Sequence, residues 1–388
     1  MSKKILIALL IILSSINVNA QSIMTNAKYA VITDTTSNID LLNKNADEQM
    51  PPASMSKLMT VYMIFDRIKS GVLSLDEGFR VSDRAWKVGG AKTGGSTMFL
   101  KPQSKVSIGD LLRGVIIQSG NDACIVLAEG VAGTEEEFVR LMNEKAAELG
   151  LKNSHFTNVT GLPDKNHYMS ARDLAILASH IINDFPELYT IYQETEFTHN
   201  KIRQENRNPL LYIRSLKGVA DGLKTGHTEV SGYGLVGSAK INDRRIVMVI
   251  NGLNSNRARS KEAETLINWG LKEFENRTLY KRGDRVTSLP VWLGDVKEVS
   301  ATVDKNLVVT LPKMKRKDTK IEVVYESPLK APIKKGDKIG RIIVTNPVFD
   351  KQTQEADLLA GEDILKQGYR GKFKAVLKYF LKQLREKI

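Results

Sequence analysis

The sequence predicts an α+β chain with antiparallel strands, followed by a small all-β domain and a terminal amphipathic helix. Two apolar strands, 232–241 and 245–252, are joined by Asn242-Asp243, and such a pair is typical of a hairpin with antiparallel strands. Between Lys57 and Ile68 the apolar residues recur at helical spacing instead. From about residue 281 the chain shows short strands separated by Gly, Asp, Asn and Lys turns, which indicates a separate β domain.

Capping residues and apolar periodicity predict the other elements. Ser107 is expected to cap a helix with Asp110 in its first turn, and Ser170 opens another with Asp173 three residues later. The first domain is expected to contain strands at 29–32 and 40–42 and helices at 57–68, 107–117, 122–129, from 170 onward and 260–274. The second is expected to contain strands at 299–303, 307–311, 321–325 and 339–344.

The 388-residue chain begins with a segment typical of an export signal. Lys3 and Lys4 precede an apolar stretch, Ile5 to Leu13, that is too short to span a bilayer comfortably. Val18-Asn19-Ala20 fits a small-residue cleavage site, so the mature chain is expected to begin at Gln21. An uncleaved anchor is the alternative, and either case predicts an exported protein.

Cysteine content and charge indicate the cellular compartment of the protein and the kind of surface that it meets. Cys124 is the only cysteine, so an exported chain has no internal disulfide, which suits a bacterial envelope protein. The formal net charge is +13, and the segment 372–388 holds five Lys and one Arg against one Glu. Nucleic acid is a poor candidate partner for an exported chain, whereas this local basic surface favours an anionic membrane.

The tail predicts a helix that lies in the membrane interface. Its apolar residues share one helical face, and its basic residues lie off that face. The apolar members are Phe373, Val376, Leu377, Phe380, Leu381, Leu384 and Ile388. A helix docked on its own β domain is the alternative. The expected organisation is a signal peptide over 1–20, a first domain over 21–280, a β domain over 281–368 and an anchor helix over 369–388.

The best single clue to function is Ser54 followed by Lys57. On a helix this spacing places both side chains on one face, where a partly desolvated lysine can take the proton of a serine nucleophile. The pattern is short enough to occur by chance, and Ser327 to Lys330 repeats it. That second copy contains a Pro within a β-rich segment, so helical stacking of its ends is not expected.

Two further elements follow the first pair in a fixed order. Ser119-Gly120-Asn121 lies between two predicted helices, where a turn can present both polar side chains. Lys224-Thr225-Gly226 comes just before an apolar strand. Lys92-Thr93-Gly94 is a second Lys-Thr-Gly, but it precedes Ser119 and lies in a Gly-rich stretch, so we discount it.

This ordered triple occurs in penicillin-binding proteins and class A β-lactamases. The chain resembles the low-molecular-mass penicillin-binding proteins, the serine D-alanyl-D-alanine carboxypeptidases of bacterial cell walls, over nearly its whole length. Longer strings carry the resemblance: 52–54 before Lys57, 119–123, 206–208 and 221–227. The resemblance implies a catalytic domain of the penicillin-binding and β-lactamase type, with an antiparallel sheet flanked by helices.

The residue types suggest how the triple would act. Backbone N–H groups at a helix N-terminus would favour negative charge on Ser54, and burial with nearby cations would keep Lys57 partly neutral. Ser119 can relay a proton to the leaving amine, and Asn121 can hold a substrate carbonyl or Lys57. An ordinary capping turn is the alternative interpretation of Ser119 and Asn121, and packing within the following helix is expected for Cys124.

Substrate binding would use the third element. Lys224 and Thr225 would bind a terminal carboxylate, and Gly226 would leave room for an extended peptide along the strand edge. By resemblance, backbone N–H groups of Ser54 and His227 would form the oxyanion hole.

By resemblance too, Arg207, within Asn206 to Asn208, would be a further partner of the substrate carboxylate. A surface ion pair is the alternative interpretation of Arg207.

The expected function is therefore an exported, membrane-attached D-Ala-D-Ala carboxypeptidase that acts on peptidoglycan stem peptides and is acylated by β-lactams on Ser54. A β-lactamase would need a water-activating glutamate, and the nearest match to the required pattern begins at Glu148. A D,D-endopeptidase with the same nucleophile, or a non-catalytic envelope scaffold, is also compatible with the sequence. No cofactor is implied, and no metal, because the five His residues lack close ligand spacing.

Overall fold

The computed structural model describes residues 4–8 and 23–368. These residues form two compact units, a larger one over 23–36 and 40–272 and a smaller one over 4–8, 37–39 and 273–368. The smaller unit begins at Glu273, earlier than the predicted boundary at 281. The reason is the strand Phe274–Tyr280, which pairs antiparallel with Leu307–Pro312 of the same unit.

A five-stranded sheet forms the centre of the larger unit. Its strand order is Ile39–Lys44, Tyr29–Asp34, Arg244–Leu253, Gly232–Ile241 and Ala220–Thr228. The predicted hairpin is confirmed, because Arg244 lies opposite Ile241 in an antiparallel pair. Ala220–Thr228 is the last strand of this sheet, so the strand that carries the Lys-Thr-Gly element has one open edge.

The two faces of this sheet are covered differently. Val31, Val247 and Val249 belong to the main core, which they share with the helices of this unit. The opposite face carries Ile32 and Ile246, which approach Gly270 of the long helix Asn256–Lys272. That helix begins four residues before the predicted start at 260, and the sheet is flanked by helices as expected.

The helix Lys57–Lys69 lies in the middle of the main core. All nine of its first residues, 57–65, are buried, so the helix is surrounded rather than packed along one stripe. The helices that contact it are Ile108–Ile116, Asn121–Ala132, Glu135–Glu148 and Ala171–Asp184. The predicted caps are present: Ser107 accepts from the Asp110 N–H at 3.1 Å, and Ser170 from the Asp173 N–H at 3.0 Å.

Short elements complete the larger unit. They comprise the helix Asp83–Gly89, the strand pair Gly78–Arg80 with Lys105–Ser107, and the strand pair Glu196–His199 with Ile202–Glu205. None of these short elements was predicted, because each is too short to show a clear apolar period.

The smaller unit is all β, as predicted. Its largest sheet contains, in order, Lys4–Ala8, Lys320–Glu326, Lys338–Thr345, Gln354–Ala360, Glu298–Val303, Arg285–Trp292 and Leu329–Lys330. Buried Val299, Val309, Ile342 and Leu358 contribute to its core. The predicted cleavage site at 18–20 and the tail helix over 369–388 lie outside the described residues, although Lys4–Ala8 of the predicted signal segment is a strand. Within 4–8 and 23–368, no helix is both long and apolar enough to cross a bilayer.

Candidate active site

Ser54 and Lys57 meet where a 3₁₀ turn runs into the central helix. The turn Ala53–Ser56 carries the serine, and the Lys57 amine donates to Ser54 Oγ at 2.9 Å. The amine is completely buried, and its second acceptor is the Thr160 carbonyl. Burial lowers the pKa of Lys57 from 10.5 to about 8. A neutral amine in contact with a serine hydroxyl is therefore accessible near physiological pH, which is the condition for a general base.

The turn that carries Ser54 packs directly on the strand Ala220–Thr228. A Cβ added to Gly226 would lie 2.9 Å from the Pro52 carbonyl oxygen and 3.0 Å from Met55 Cγ. Glycine at this position thus lets the chain's own turn approach the strand, whereas the sequence suggested room for a bound peptide. The contact fixes the separation between Ser54 and the strand that holds Lys224 and Thr225.

Ser119 and Lys224 form the second contact pair. Ser119 lies between two helices with φ +61°, a left-handed conformation that costs free energy in a non-glycine residue. Its Oγ accepts from the Lys224 amine at 3.0 Å, and the same amine donates to the Thr225 carbonyl at 3.0 Å. Burial and then the charges of Lys57 and Arg207 hold the pKa of Lys224 well below its usual value.

The buried carboxylate of Asp122 holds the segment 97–100 in place near Ser119. It accepts from Thr97 Oγ1 at 2.7 Å and from the Met98 and Leu100 backbone N–H groups at 2.9 Å and 3.1 Å. These bonds fasten the 97–100 segment to the start of the helix that follows Ser119.

Asn121 lies against the residues that precede the segment 97–100. Its backbone N–H donates to the Ser96 carbonyl at 2.8 Å, and its side-chain amide lies beside Gly95. Asn121 thus lies next to the Ser96 segment, whereas the acceptors of the Lys57 amine are Ser54 and Thr160.

Arg207, which the sequence suggested as a carboxylate partner, lies near Lys57 and Lys224. Side-chain hydrogen bonds of Asn206 and Asn208 fold the chain around it, and its guanidinium donates to Ser96 Oγ at 2.6 Å. Burial lowers the pKa of Arg207, and its charge in turn lowers the pKa of Lys57. Arg207 is exposed, but the partner of its guanidinium is the Ser96 hydroxyl rather than the carboxylate that a surface ion pair would need.

Arg259 is a site residue that sequence reasoning missed. It lies in the helix Asn256–Lys272, is 6% exposed, and its guanidinium stacks over the Tyr233 ring at 5.7 Å. Burial lowers its pKa to about 10, and its charge lowers the pKa of Lys224. No motif marks Arg259, because only the fold brings this helix beside the sheet.

His227 and Thr225 lie on the open edge strand. The His227 ring is exposed and stacks on Tyr233 with 3.8 Å between ring centres, whereas Thr225 is buried. A cavity of about 390 Å³ begins at His227 and continues past Glu229 to the end of the sheet. An extended peptide at this edge would find unpaired backbone groups and a space beyond them.

The side chains brought together are mostly cationic. Lys57, Lys224, Arg207 and Arg259 influence one another's ionisation, and burial lowers the pKa of each. Such a cluster is arranged to receive an anion. Among the described residues, no group of three or more His, Cys, Asp or Glu is placed to hold a metal ion.

The remaining sequence candidates lie elsewhere or are inert. Cys124 packs in the helix Asn121–Ala132, and burial raises the pKa of its thiol to about 12. Lys92 lies in an exposed 3₁₀ turn with its amine over Trp86, so the first Lys-Thr-Gly is not on a strand. Glu148 is exposed and pairs with Lys145 at 2.5 Å, which does not suit a water-activating base.

Comparison with known proteins agrees with this arrangement. A family profile described as "D-alanyl-D-alanine carboxypeptidase" matches residues 16–255, and one described as "Penicillin-binding protein 5, C-terminal domain" matches 274–366. The chain is 41% identical over 349 residues to D-alanyl-D-alanine carboxypeptidase DacC of Escherichia coli K12, covering 89% of this chain and 86% of that protein.

Solved structures of penicillin-binding proteins are also similar to this chain. Penicillin-binding protein 5 of Haemophilus influenzae is similar with a TM-score of 0.79 and 36% identity, over 90% of this chain and all of that one. Penicillin-binding protein D2 of Listeria monocytogenes, in an ampicillin-bound form, is similar with a TM-score of 0.55 and 28% identity, over 64% of this chain and 99% of that one.

We expect Asp122→Asn to destabilise the fold, because an amide cannot accept all the hydrogen bonds that the carboxylate now receives. The free energy of unfolding should fall by about 3 kcal/mol in chemical denaturation. Asp76→Asn makes the same change at an exposed position and should stay within about 0.5 kcal/mol of the wild type. Equal losses in the two variants would contradict the anchoring role of Asp122.

Proposed function

The chain belongs to the D-alanyl-D-alanine carboxypeptidase family, and we propose that it removes the terminal D-alanine from peptidoglycan stem peptides through an acyl-enzyme on Ser54. The observation that carries the proposal is the pair of contacts from Lys57 to Ser54 and from Lys224 to Ser119. One buried amine touches the hydroxyl of Ser54, and a second buried amine touches the hydroxyl of Ser119. This suits proton transfer at one end of a peptide bond and anion binding at the other.

The substrate carboxylate would bind among the cations. Lys224, Arg207 and the Thr225 hydroxyl would all donate to it, and each hydrogen bond would be charge-assisted because the carboxylate is ionised. A bound carboxylate would stabilise the ammonium form of Lys224, whose pKa is depressed in the free protein. The free energy of binding would thus come from placing a negative charge among cations that repel one another in the free protein.

Acylation would begin with neutral Lys57. As Ser54 Oγ attacks the carbonyl carbon of the penultimate D-alanine, its proton moves to the Lys57 amine. The carbonyl oxygen becomes an oxyanion, which we propose the backbone N–H groups of Ser54 and His227 receive. When the C–N bond breaks, Ser119 passes a proton to the leaving nitrogen and is resupplied by the Lys57 ammonium, so the terminal D-alanine departs as an amine.

Deacylation would reuse the same base. Water attacks the ester carbon, Lys57 takes a proton from that water, and Ser54 leaves as its oxygen regains a proton. A β-lactam would acylate Ser54 by opening its ring amide, and the amine would stay tethered to the acyl group. The ampicillin-bound relative supports this part of the proposal.

The setting proposed for this reaction is the periplasmic face of the inner membrane. A leader over 1–20 would direct export, and the amphipathic segment 369–388 would attach the enzyme to the membrane surface. The basic and apolar faces of that segment support the proposal.

The central test compares the wild type with Ser54→Ala in labelling by a fluorescent penicillin and in D-alanine release from a stem pentapeptide. Wild type should show both activities, and the variant should show neither, because it has no nucleophile. Ser56→Ala is the matched control, since it changes a neighbouring serine of the same turn, and it should label normally. A folded wild type that is never labelled would refute the assignment, and labelling without D-alanine release would favour a β-lactamase.

The rate of acylation should depend on pH through Lys57. Only the neutral amine can take the Ser54 proton, so the rate should rise with pH and level off above about 8, where the pKa of Lys57 lies. Below that value the rate should fall about tenfold per pH unit. Stopped-flow acylation by a chromogenic cephalosporin would measure the profile, with circular dichroism confirming the fold at each pH. A rate constant that stays flat from about pH 6 to 9 would argue against Lys57 as the base.

Truncation after Arg370 should release the mature enzyme from membranes, because it removes the apolar face of the tail. Flotation of the protein with anionic vesicles would measure the change, and penicillin labelling would show that the truncated enzyme remains folded. Full-length mature protein that fails to float would contradict the anchor.

A further inference from the structure

A tight turn over 158–162 faces the buried amine of Lys57. Its middle carbonyl, that of Thr160, accepts a hydrogen bond from the Lys57 amine, which also contacts Ser54. A neutral amine has two hydrogens to donate and one lone pair. With one hydrogen held by the Thr160 carbonyl, the neutral amine can turn its lone pair toward the hydroxyl proton of Ser54 instead of donating its second hydrogen to Oγ.

One side chain determines where that carbonyl lies. Oδ1 of Asn158 accepts from the Thr160 N–H at 3.1 Å and its hydroxyl at 2.9 Å, and from the N–H groups of Gly161 at 2.8 Å and Leu162 at 3.2 Å. Nδ2 of Asn158 donates to the Leu162 carbonyl at 3.1 Å. Asparagine is well suited to this use, because its short amide can mimic a backbone turn.

The turn is also fixed to the segment that carries the nucleophile. Gly161 has φ +78°, and an added Cβ would lie 2.0 Å from the Ala53 carbonyl oxygen, so only glycine allows this approach. The Val159 carbonyl accepts from Thr60 Oγ1 on the helix of Lys57 at 2.8 Å. The position of the turn is thus defined relative to both ends of the Ser54–Lys57 pair.

We propose that Asn158 is a positioning residue for the reaction, which holds the Thr160 carbonyl so that the Lys57 amine points at Ser54. The inference rests on the proposed function, because it assumes that Lys57 acts as the base. Asn158 touches neither reacting atom, and its influence passes through the backbone of the turn. Misplacing a catalytic group by about 1 Å can cost about 100-fold in rate.

A purely structural role for Asn158 is the competing explanation, and Asn143 supplies the matched control. Asn143 holds the same loop two residues earlier: its Nδ2 donates to the carbonyls of Phe156 and Val139, and its Oδ1 accepts from the Phe156 N–H at 2.9 Å. It therefore fastens the loop but makes no hydrogen bond to the turn. Asn143→Ala and Asn158→Ala should both lower the melting temperature, but only the second should disturb Lys57.

The experiment measures the rate constant of acylation by a chromogenic cephalosporin for full-length folded protein, with the melting temperature of each variant measured beside it. Asn158→Ala should slow acylation by about 100-fold, whereas Asn143→Ala should slow it less than about threefold. Equal rates for the two variants, whatever their melting temperatures, would overturn the proposal. If Asn158→Ala does not fold, the conservative variant below decides the question.

Asn158→Asp keeps an oxygen that can accept from the turn's N–H groups but adds a negative charge. At high pH it should acylate within about fivefold of the wild type, because the Thr160 carbonyl stays in place. The new carboxylate should raise the pKa of Lys57, so the rising limb of its pH–rate profile should move to higher pH. The ionisable groups already acting on Lys57 or acted on by it are Cys124, Arg207, Asp122, Lys224 and His167.

If Asn158→Asp folds but is slowed about 100-fold at high pH, as expected for Asn158→Ala, the proposal is overturned, because the retained oxygen should hold the Thr160 carbonyl in place. Wild-type protein that is not acylated at Ser54 at all would instead refute the proposed function. Wild-type acylation together with an unaffected Asn158→Ala would refute only the inference about Asn158. The two failures are thus distinguishable.

Discussion

The Lys57 amine lies fully buried, and its hydrogen-bond acceptors are a serine hydroxyl and a backbone carbonyl rather than a carboxylate. Burying a charged amine without a directly bonded counter-ion costs free energy, so burial lowers the pKa of Lys57 to about 8. The surroundings of this amine have to be built accurately, because the two groups that accept its hydrogen bonds carry no formal charge to draw it into place. The central helix, the Ala53–Ser56 turn and the 158–162 turn meet at this point.

Lys57 is not the only cation of the site whose pKa is lowered by desolvation. Lys224 and Arg259 are buried and Arg207 is more exposed, and desolvation lowers the pKa of each. Keeping these cations together costs free energy of folding, and an anionic ligand bound among them would offset that cost. The charge of Asp122 raises the pKa of Lys57 and so opposes the effect of burial, but its oxygens accept hydrogen bonds from the 97–100 segment rather than from the cations.

Much of this arrangement could be predicted from sequence because it depends on local spacing. The Ser54–Lys57 stacking, the Asn242-Asp243 hairpin and the Ser107 and Ser170 caps each involve residues at most a few positions apart. Arg259, Asp122 and Asn158 could not be found in this way. Arg259 acts through packing between a helix and a distant strand, Asp122 bonds to a segment more than 20 residues away, and Asn158 acts through a backbone carbonyl, which leaves no signature in the sequence.

The close approach of Gly226 to Pro52 has a consequence for how such an enzyme can change over evolutionary time. Close packing inside the protein, of Pro52, Ala53 and Met55 against Gly226, sets the distance between the Ser54 turn and the strand that would receive substrate. Exchanges at cavity residues farther from this packing, such as Glu229 and Val230, would therefore leave that distance unchanged. Substrate preference would then be free to diverge while the spacing between the Ser54 turn and the strand stays constant.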